Sequence, residues 1–180
     1  MAGKPHRIAV LSDTHGLLRP EVTEVLKTCE MILHGGDINN RKIVEQLEQM
    51  APLYAVRGNN DKDWAQGMAE ELEITLFGLH IYMIHNKKHR KENLKGTDLF
   101  IYGHSHKYEE KSEDGVFFLN PGSCGPRRFK QPVTMAVLEV YEDTGKWKVQ
   151  KIELTQREGE TGVDAGGIVD KMEVNALTVK

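Results

Sequence analysis

The chain has 180 residues, the size of one domain that buries a full hydrophobic core. Its formal net charge of −3 argues against a general nucleic-acid-binding surface, and its two cysteines are too few for a disulfide framework. No stretch approaches the ~18 apolar residues that a membrane span needs, and the polar N-terminal residues do not resemble a signal peptide. We therefore expect a soluble, cytoplasmic protein.

The first half of the chain alternates short apolar runs with helical patterns. Strands are predicted at residues 8–11, 31–33 and 53–56, separated by helices that begin near Pro20 and at Asn39 or Asn40. This β-α-β-α-β order predicts a parallel sheet with helices on its faces.

The second half is rich in strand patterns. A hairpin is predicted over residues 74–84, followed by strands at 98–102, 116–119, 133–141 and 147–154. Two packed sheets flanked by helices are therefore expected. From Thr155 onward glycine and charged residues dominate and the periodicity fades. Residues 1–154 are predicted to form one domain, and residues 155–180 an appendage that is ordered only where it docks.

Polar clusters stand at or just beyond the ends of apolar runs. They are Asp13-Thr14-His15, Gly35-Gly36-Asp37, Gly58-Asn59-Asn60-Asp61, His85, Gly103-His104-Ser105-His106, Asn120-Pro121-Gly122-Ser123 and Arg127-Arg128. Carboxylate, imidazole and amide ligands delivered by successive strand ends can build a site for two metal ions. Two adjacent cations can hold a hydroxide against phosphorus, so the ordered set indicates phosphate-ester hydrolysis.

Most clusters also have a purely structural interpretation. Asp13 and Asp37 are typical of turns, and Asp61 can cap the segment that follows it. The pair His104 and His106 is the most specific, because few structural roles place two histidines just past a buried strand.

Four further histidines are considered as metal ligands. His85 ends a strand and completes the ligand count, while His80 lies in the hairpin and His89 in a basic stretch that is expected to be solvated. His34 is interpreted as a strand-end residue that points away from Asp37.

The ordered series Asp-x-His, Gly-Gly-Asp, Gly-Asn-x-Asp, His, Gly-His-Ser-His and Asn-Pro-Gly-Ser resembles the calcineurin-like metallophosphoesterases, and most closely their small bacterial and archaeal phosphodiesterase branch. The resemblance covers roughly residues 6–154. It implies a four-layer αββα sandwich of the α/β (α+β) class, with two mixed sheets flanked by helices. It also implies a phosphodiesterase with a dinuclear metal centre at the strand ends.

The resemblance implies two ligand sets that share one carboxylate. One metal ion would be held by Asp13, His15, Asp37 and His106, and the other by Asp37, Asn59, His85 and His104. A hydroxide bridging the ions is the implied nucleophile, and the implied catalytic residues are Asp37, Asn59, His104 and Asn60. The mixed ligands suit manganese, with nickel, zinc, iron or magnesium as alternatives. The implied substrate is a small phosphate ester.

Two positions depart from the family pattern. Many larger relatives carry Gly-Asn-His where this chain has Asn60, and a neutral amide cannot act as a general acid near neutral pH. Asn60 is therefore expected to bind substrate by a hydrogen bond, and turnover to favour good leaving groups such as those of aryl phosphodiesters. Asn86 replaces the usual glycine after His85, which implies either a narrower pocket or a different loop course.

Other interpretations remain open. Arg127 and Arg128 are candidates for contacting the substrate phosphate, with a surface basic pair as the alternative.

The resemblance also includes the retromer subunit that shares this fold, which implies a non-catalytic interaction module as an alternative function. The complete set of seven proposed ligands favours the enzyme. Nucleic-acid binding by residues 87–95 is opposed by the acidic charge of the chain and the absence of interleaved aromatics. Neither a membrane nor a nucleic-acid partner is expected, and a homo-oligomer is left open.

Overall fold

The computed structural model describes residues 3–128, 130–154 and 175–179. Its strands, in chain order, are β1 (His6–Leu11), β2 (Met31–His34), β3 (Leu53–Ala55), β4 (Glu71–Leu76), β5 (Leu79–Ile84), β6 (Leu99–Ile101), β7 (Tyr108–Glu113), β8 (Val116–Pro121), β9 (Thr134–Tyr141), β10 (Lys146–Glu153) and β11 (Asn175–Val179). The α-helices among these residues are α1 (Pro20–Leu26) and α2 (Arg41–Met50).

The strands form two mixed sheets. The first has the order β11-β10-β9-β1-β2-β3, and the second has the order β4-β5-β6-β8-β7. In the first sheet β1 pairs in parallel with β2, and β2 with β3. In the second sheet β5 pairs in parallel with β6, and β6 with β8. The carboxyl ends of the parallel strands therefore meet at one edge of each sheet, as predicted for the first sheet.

The alternation of side chains along β1 explains its uninterrupted apolar run. Ile8 and Val10 pack between the two sheets, whereas Ala9 and Leu11 pack against the helices on the outer face. All four side chains are fully buried. A strand that is covered on both faces needs apolar residues at every position, which is the pattern that the sequence shows.

The two helices begin where local sequence signals place them. Pro20 occupies the first turn of α1, where its missing N–H costs no hydrogen bond. Asn40, one of the two predicted caps, accepts a hydrogen bond from Lys42 N at the start of α2. Cys29 follows the end of α1 and packs against the apolar cluster to which the buried face of α1 belongs.

The outer face of the second sheet is covered by a loop in place of an α-helix. Residues 86–97 cross an aromatic face and contain one short 3-10 turn, Lys87–His89. Lys87 lies over the Tyr102 ring and Lys91 over the Tyr82 ring, so lysine stems shield these aromatics from water. The two-sheet α/β class and layered arrangement are confirmed, and this loop serves as the fourth layer.

Two strands lie outside the strand predictions. β7 is an edge strand whose sequence, Tyr-Glu-Glu-Lys-Ser-Glu, lacks an apolar run. β11 pairs antiparallel with β10 and lies within the predicted appendage. Residues 155–174 lie outside the described residues, and the boundary at residue 154 stays a prediction.

Among the described residues, no helix is both long enough and apolar enough to cross a bilayer.

Candidate metal centre

The predicted ligands lie on loops that follow the carboxyl ends of strands. Asp13 and His15 follow β1, Asp37 follows β2 and Asn59 follows β3. In the second sheet His85 follows β5, and His104 and His106 follow β6. Because these strands are parallel within each sheet, their ends bring residues that are distant in sequence to one edge of the sandwich.

One group of donor atoms is formed by Asp13, His15 and His106. His106 Nε2 lies 3.2 Å from Asp13 Oδ1 and 3.1 Å from His15 Nε2. His15 Nε2 lies 3.7 Å from Asp13 Oδ1. Two donor atoms that each lie about 2.1 Å from one ion are separated by roughly 3.0–3.5 Å, so this group is spaced to share a cation.

A second group is formed by Asp13, Asp37 and His85. His85 Nε2 lies 3.3 Å from Asp37 Oδ2, and the same oxygen lies 3.9 Å from His15 Nε2 in the first group. Asp37 therefore faces both groups, as a bridging carboxylate must. Asp13 also belongs to both groups, a sharing that the sequence does not indicate.

His104 and Asn59 form a pair beside the second group. His104 Nδ1 lies 2.9 Å from Asn59 Oδ1, and the His104 ring stands edge-on to the His85 ring at 5.3 Å between centroids. Both side chains are more exposed than those of Asp37 and His85. The structure thus brings all seven predicted ligands to one edge, with five in close groups and these two adjacent.

The acidic and basic side chains of the second group shift each other's pKa values. Burial acts to raise the pKa of Asp37, but the facing His85 imidazole and the hydrogen bonds from Asn60 outweigh burial and hold that pKa well below its usual range. Burial acts to lower the pKa of His85, but the Asp37 and Asp13 carboxylates outweigh it and raise that pKa. A metal cation can bind to an ionised carboxylate and a facing imidazole nitrogen together, when the cation replaces the proton on that nitrogen.

On each of two buried side chains, Asp13 and His85, one atom that can bind a metal ion is left without a hydrogen bond. Asp13 Oδ2 accepts from Ser12 Oγ at 2.7 Å, and His85 Nδ1 donates to the Gly35 carbonyl at 2.7 Å. Asp13 Oδ1 and His85 Nε2 are buried and have no hydrogen-bond partner among the described residues. Unpaired buried polar atoms are costly. The arrangement, with a carbonyl fixing the far nitrogen of the imidazole, is the one that metal-binding histidines use.

The backbone at the site is held in a conformation that L-residues rarely adopt. Five predicted ligands have left-handed φ values, namely Asp13 (55°), His15 (44°), Asp37 (56°), His104 (70°) and His106 (59°). Each such residue is strained by about 1–3 kcal/mol and persists only where the surroundings enforce it. Their concentration at one edge of the sandwich supports that edge as the candidate functional site.

The remaining predicted residues have distinct positions. Asn60 donates from its backbone N to Asp37 Oδ1 at 2.8 Å and from Nδ2 to Asp37 Oδ2 at 2.7 Å. Arg128 is exposed and its charge, after burial, is the next cause of the lowered pKa of His15. Arg127 is exposed and has no hydrogen bond or ion pair to the predicted ligands in the described part of the chain.

Comparison with known proteins identifies the family. The sequence profile of the calcineurin-like phosphoesterase superfamily domain matches residues 7–143, which is most of the chain. This chain belongs to the calcineurin-like phosphoesterase superfamily. The predicted family is therefore confirmed.

Individual relatives of this calcineurin-like phosphoesterase are distant. A probable metallophosphoesterase of Methanothermobacter thermautotrophicus is 28% identical over 144 residues, covering 72% of this chain and 84% of the relative. Phosphodiesterase MJ0936 of Methanocaldococcus jannaschii is 27% identical over 142 residues, covering 66% of this chain and 84% of the relative. The crystal structure of wild-type Vps29 from Entamoeba histolytica complexed with Zn²⁺ has a TM-score of 0.70 and 21% identity, covering 96% of this chain and 98% of Vps29. At that identity the likeness to Vps29 shows the fold alone.

The polar clusters of the sequence include Asp61 and Asn120, but the sequence did not indicate that these two residues support the candidate site. Buried Asp61 accepts hydrogen bonds from Gly58 N at 2.8 Å and Asn39 N at 2.7 Å, so it holds the loop that carries Asn59. Asn120 Nδ2 donates to the Gly103 carbonyl at 2.9 Å and holds the loop that carries His104. The signal for Asn120 was its place at the end of an apolar run, where a buried amide needs partners.

A cleft of ≈ 410 Å³ opens beside the second group of donor atoms. Asn59, His85 and His104 form part of its wall, together with Asn86 and His89. Asn86 Oδ1 accepts from Lys88 N and starts the 3-10 turn. Asn86, which stands where the family usually has glycine, therefore starts the turn that places His89 on the cleft wall. His80 is exposed and forms an ion pair with Asp98, away from the site.

Proposed function

We propose that this chain is a metal-dependent phosphodiesterase that uses two divalent metal ions. The observation that carries the proposal is the pair of buried atoms without hydrogen-bond partners, Asp13 Oδ1 and His85 Nε2, at a site lined by further carboxylate and imidazole groups. A cation supplies the interaction that these atoms lack. The name of the relative MJ0936, a phosphodiesterase, supports the choice of a diester substrate.

The two donor groups, with the adjacent pair His104 and Asn59, support the ligand sets that the family resemblance implies. Asp13, His15, Asp37 and His106 would hold one ion, and Asp37, Asn59, His85 and His104 the other. When bound, two divalent ions lower the pKa of coordinated water and offset the charge on phosphate oxygens. Nitrogen and oxygen donors together favour manganese, with nickel, zinc, iron or magnesium as alternatives.

The chain's own residues hold this constellation ready. The Gly35 carbonyl fixes His85 with its proton on Nδ1, so that Nε2 presents a lone pair to the site. Asn60 orients both carboxylate oxygens of Asp37. The adjacent cleft has room for the organic group of a small phosphate ester, and Arg128 stands near His15 as a candidate partner for phosphate. We expect the enzyme to act in the cytoplasm.

A second candidate is an interaction module without catalysis. Vps29 shares the fold over almost the whole of both chains, and that Vps29 structure contains Zn²⁺. Metal binding alone therefore does not separate the two candidates, whereas hydrolysis does.

The test is hydrolysis of bis(p-nitrophenyl) phosphate by metal-stripped protein that is resupplied with Mn²⁺, Ni²⁺, Zn²⁺ or Mg²⁺. We expect turnover only with metal, and a fall of at least about 100-fold in Asp37→Asn, which removes the proposed bridging charge. Asp98→Asn is the matched control, because the Asp98 side chain is 47% exposed and the residue precedes β6, at the end remote from the ligands. Its activity should stay within twofold.

The outcomes separate the candidates. Metal-dependent turnover that Asp37→Asn abolishes and Asp98→Asn preserves supports the phosphodiesterase. Folded protein that binds metal but shows no turnover with any ion contradicts it and leaves the interaction module. Activity that persists in Asp37→Asn would place the reaction somewhere other than this centre.

A further inference from the structure

His34 is a buried histidine next to the metal centre that the proposed chemistry does not use. Its side chain is fully buried at the end of β2, and both of its ring nitrogens have partners. Gly36 N donates to Nδ1 at 3.1 Å, and Nε2 lies 3.1 Å from Thr14 Oγ1. With both nitrogens engaged, His34 has no donor atom to offer a cation.

These two partners belong to the loops that carry three ligands. Thr14 lies between Asp13 and His15, and Gly36 immediately precedes Asp37. The loops are also joined by backbone hydrogen bonds, from Asp13 N to the Gly36 carbonyl at 2.9 Å and from His15 N to the Asp37 carbonyl at 3.0 Å. His34 is a side chain that bonds to both loops.

The hydrogen bonds define the tautomer. Because Nδ1 accepts from a backbone N–H, the ring proton is on Nε2, and Nε2–H donates to Thr14 Oγ1. Burial lowers the pKa of His34 to about 4, which keeps the ring neutral near neutral pH. A protonated ring would lose its acceptor at Nδ1 and leave Gly36 N without a partner.

We propose that His34 is a positioning residue, whose neutral Nε2–H tautomer holds the Asp13–His15 loop and Asp37 in register for metal binding. This inference rests on the proposed metal centre. The three ligands concerned all have left-handed φ values, so their conformation depends on the surrounding contacts. An apolar side chain at residue 34 would leave both a buried N–H and a buried hydroxyl unsatisfied.

The test measures Mn²⁺ affinity by calorimetry on metal-stripped protein. His34→Leu removes both hydrogen bonds and should weaken binding about tenfold, the lower range for residues that orient ligands. His34→Asn can still accept from Gly36 N, and His34→Gln can still donate to Thr14, so each should lose less than His34→Leu. Thr14→Val should add little to the loss in His34→Leu, since the contact is already gone.

The control separates positioning from general destabilisation. Val149→Ala removes a fully buried side chain in the middle of β10 and should destabilise the fold while leaving the Mn²⁺ affinity within twofold. Nitrogen-15 NMR of the wild-type imidazoles reads the tautomer directly, and should show His34 protonated at Nε2 only.

Each result decides between the two levels of proposal. Wild-type protein that binds no Mn²⁺ or other divalent ion overturns the metal centre itself. Wild-type binding with an unchanged affinity in His34→Leu, or the opposite tautomer by NMR, overturns the role of His34 alone. If His34→Leu does not fold, unchanged affinity in both His34→Gln and Thr14→Val overturns that role.

Discussion

Asn60 commits its side-chain amide and its backbone N–H to the two oxygens of Asp37. From the sequence, we predicted that Asn60 donates a hydrogen bond to the substrate. We also predicted that its neutral amide cannot supply a proton. The structure directs the amide to a ligand, so Asn60 orients Asp37. A role of Asn60 in substrate binding stays a prediction, because an amide nitrogen can donate a second hydrogen bond.

The absence of an acid at residue 60 should show in the choice of substrate. An alkyl ester needs a proton on its leaving oxygen, whereas a nitrophenolate leaves without one, and general acids contribute about 100-fold or more. We expect kcat for bis(p-nitrophenyl) phosphate to exceed kcat for a methyl or ethyl diester by at least that factor. Comparable kcat values for the two diester classes, measured with the same metal ion, would show that another group supplies the proton.

At the same scale, the chemical types of the ligands were predictable and their supports were not. The residue type alone indicates a metal ligand where carboxylates and histidines follow a strand, as His104 and His106 do. His34 and Asp61 act through partners that are 20 and 22 residues away, Thr14 and Asn39. Only the folded chain shows such pairings.

The loops after β2 and β3 pack so closely that two positions, Gly36 and Gly58, have no room for a side chain. A methyl group at Gly58 would collide with the backbone N and Oδ1 of Asp37, although its φ is an ordinary one. Gly36, with φ +96°, would bring a methyl carbon to 2.8 Å from His85 Nδ1. These glycines are therefore required by the close approach of two ligand-bearing loops.

Gly58→Ala should displace Asp37 and weaken the site. Overpacking costs about 1–3 kcal/mol of unfolding free energy, and we expect Mn²⁺ affinity to fall about tenfold or more. Gly67→Ala is the matched control, since its methyl group would meet nothing within 4 Å. Thermal unfolding and Mn²⁺ titration of both variants check the prediction, and equal affinities in the two would contradict it.

Elements with strong local patterns matched the predictions, and one polar strand did not. The apolar runs of β1, β2 and β5 and the capped start of α2 lie where expected. β7 pairs with β8 as an edge strand, where alternate side chains can be polar and exposed. Its strand conformation comes from the β8 backbone, which a search for apolar periodicity cannot detect.

For the whole molecule, the buried His34 couples global stability to pH. Its pKa is lowered from 6.5 to about 4 by burial, so between these values the unfolded chain binds more protons than the folded one. Stability is retained above the unfolded value and is lost as pH falls toward the folded one. The free energy of unfolding should therefore fall by about 2 kcal/mol from pH 7 to pH 5 through this group.

Urea denaturation of metal-stripped protein at the two pH values measures this loss. His34→Gln cannot titrate at this position, and its stability should fall by about 2 kcal/mol less than that of wild type over the same interval. The difference between the two proteins isolates His34 from the other titrating groups. Parallel pH dependence in both proteins would show that the ring is not kept neutral by the fold.

The sequence by itself determined the family, the two-sheet architecture and the chemical identity of the candidate ligands. The family follows from the resemblance of the ordered motifs to those of known proteins. The strands and the ligand types follow from local signals, because apolar periodicity and the polar residues at strand ends lie in consecutive positions. Only the tertiary structure decided that His85, and not His80 or His89, faces Asp37, that Asn60 binds Asp37, and that His34 joins two loops. Those outcomes depend on which strand ends meet across two sheets, and such contacts between distant residues leave no periodic trace in the chain.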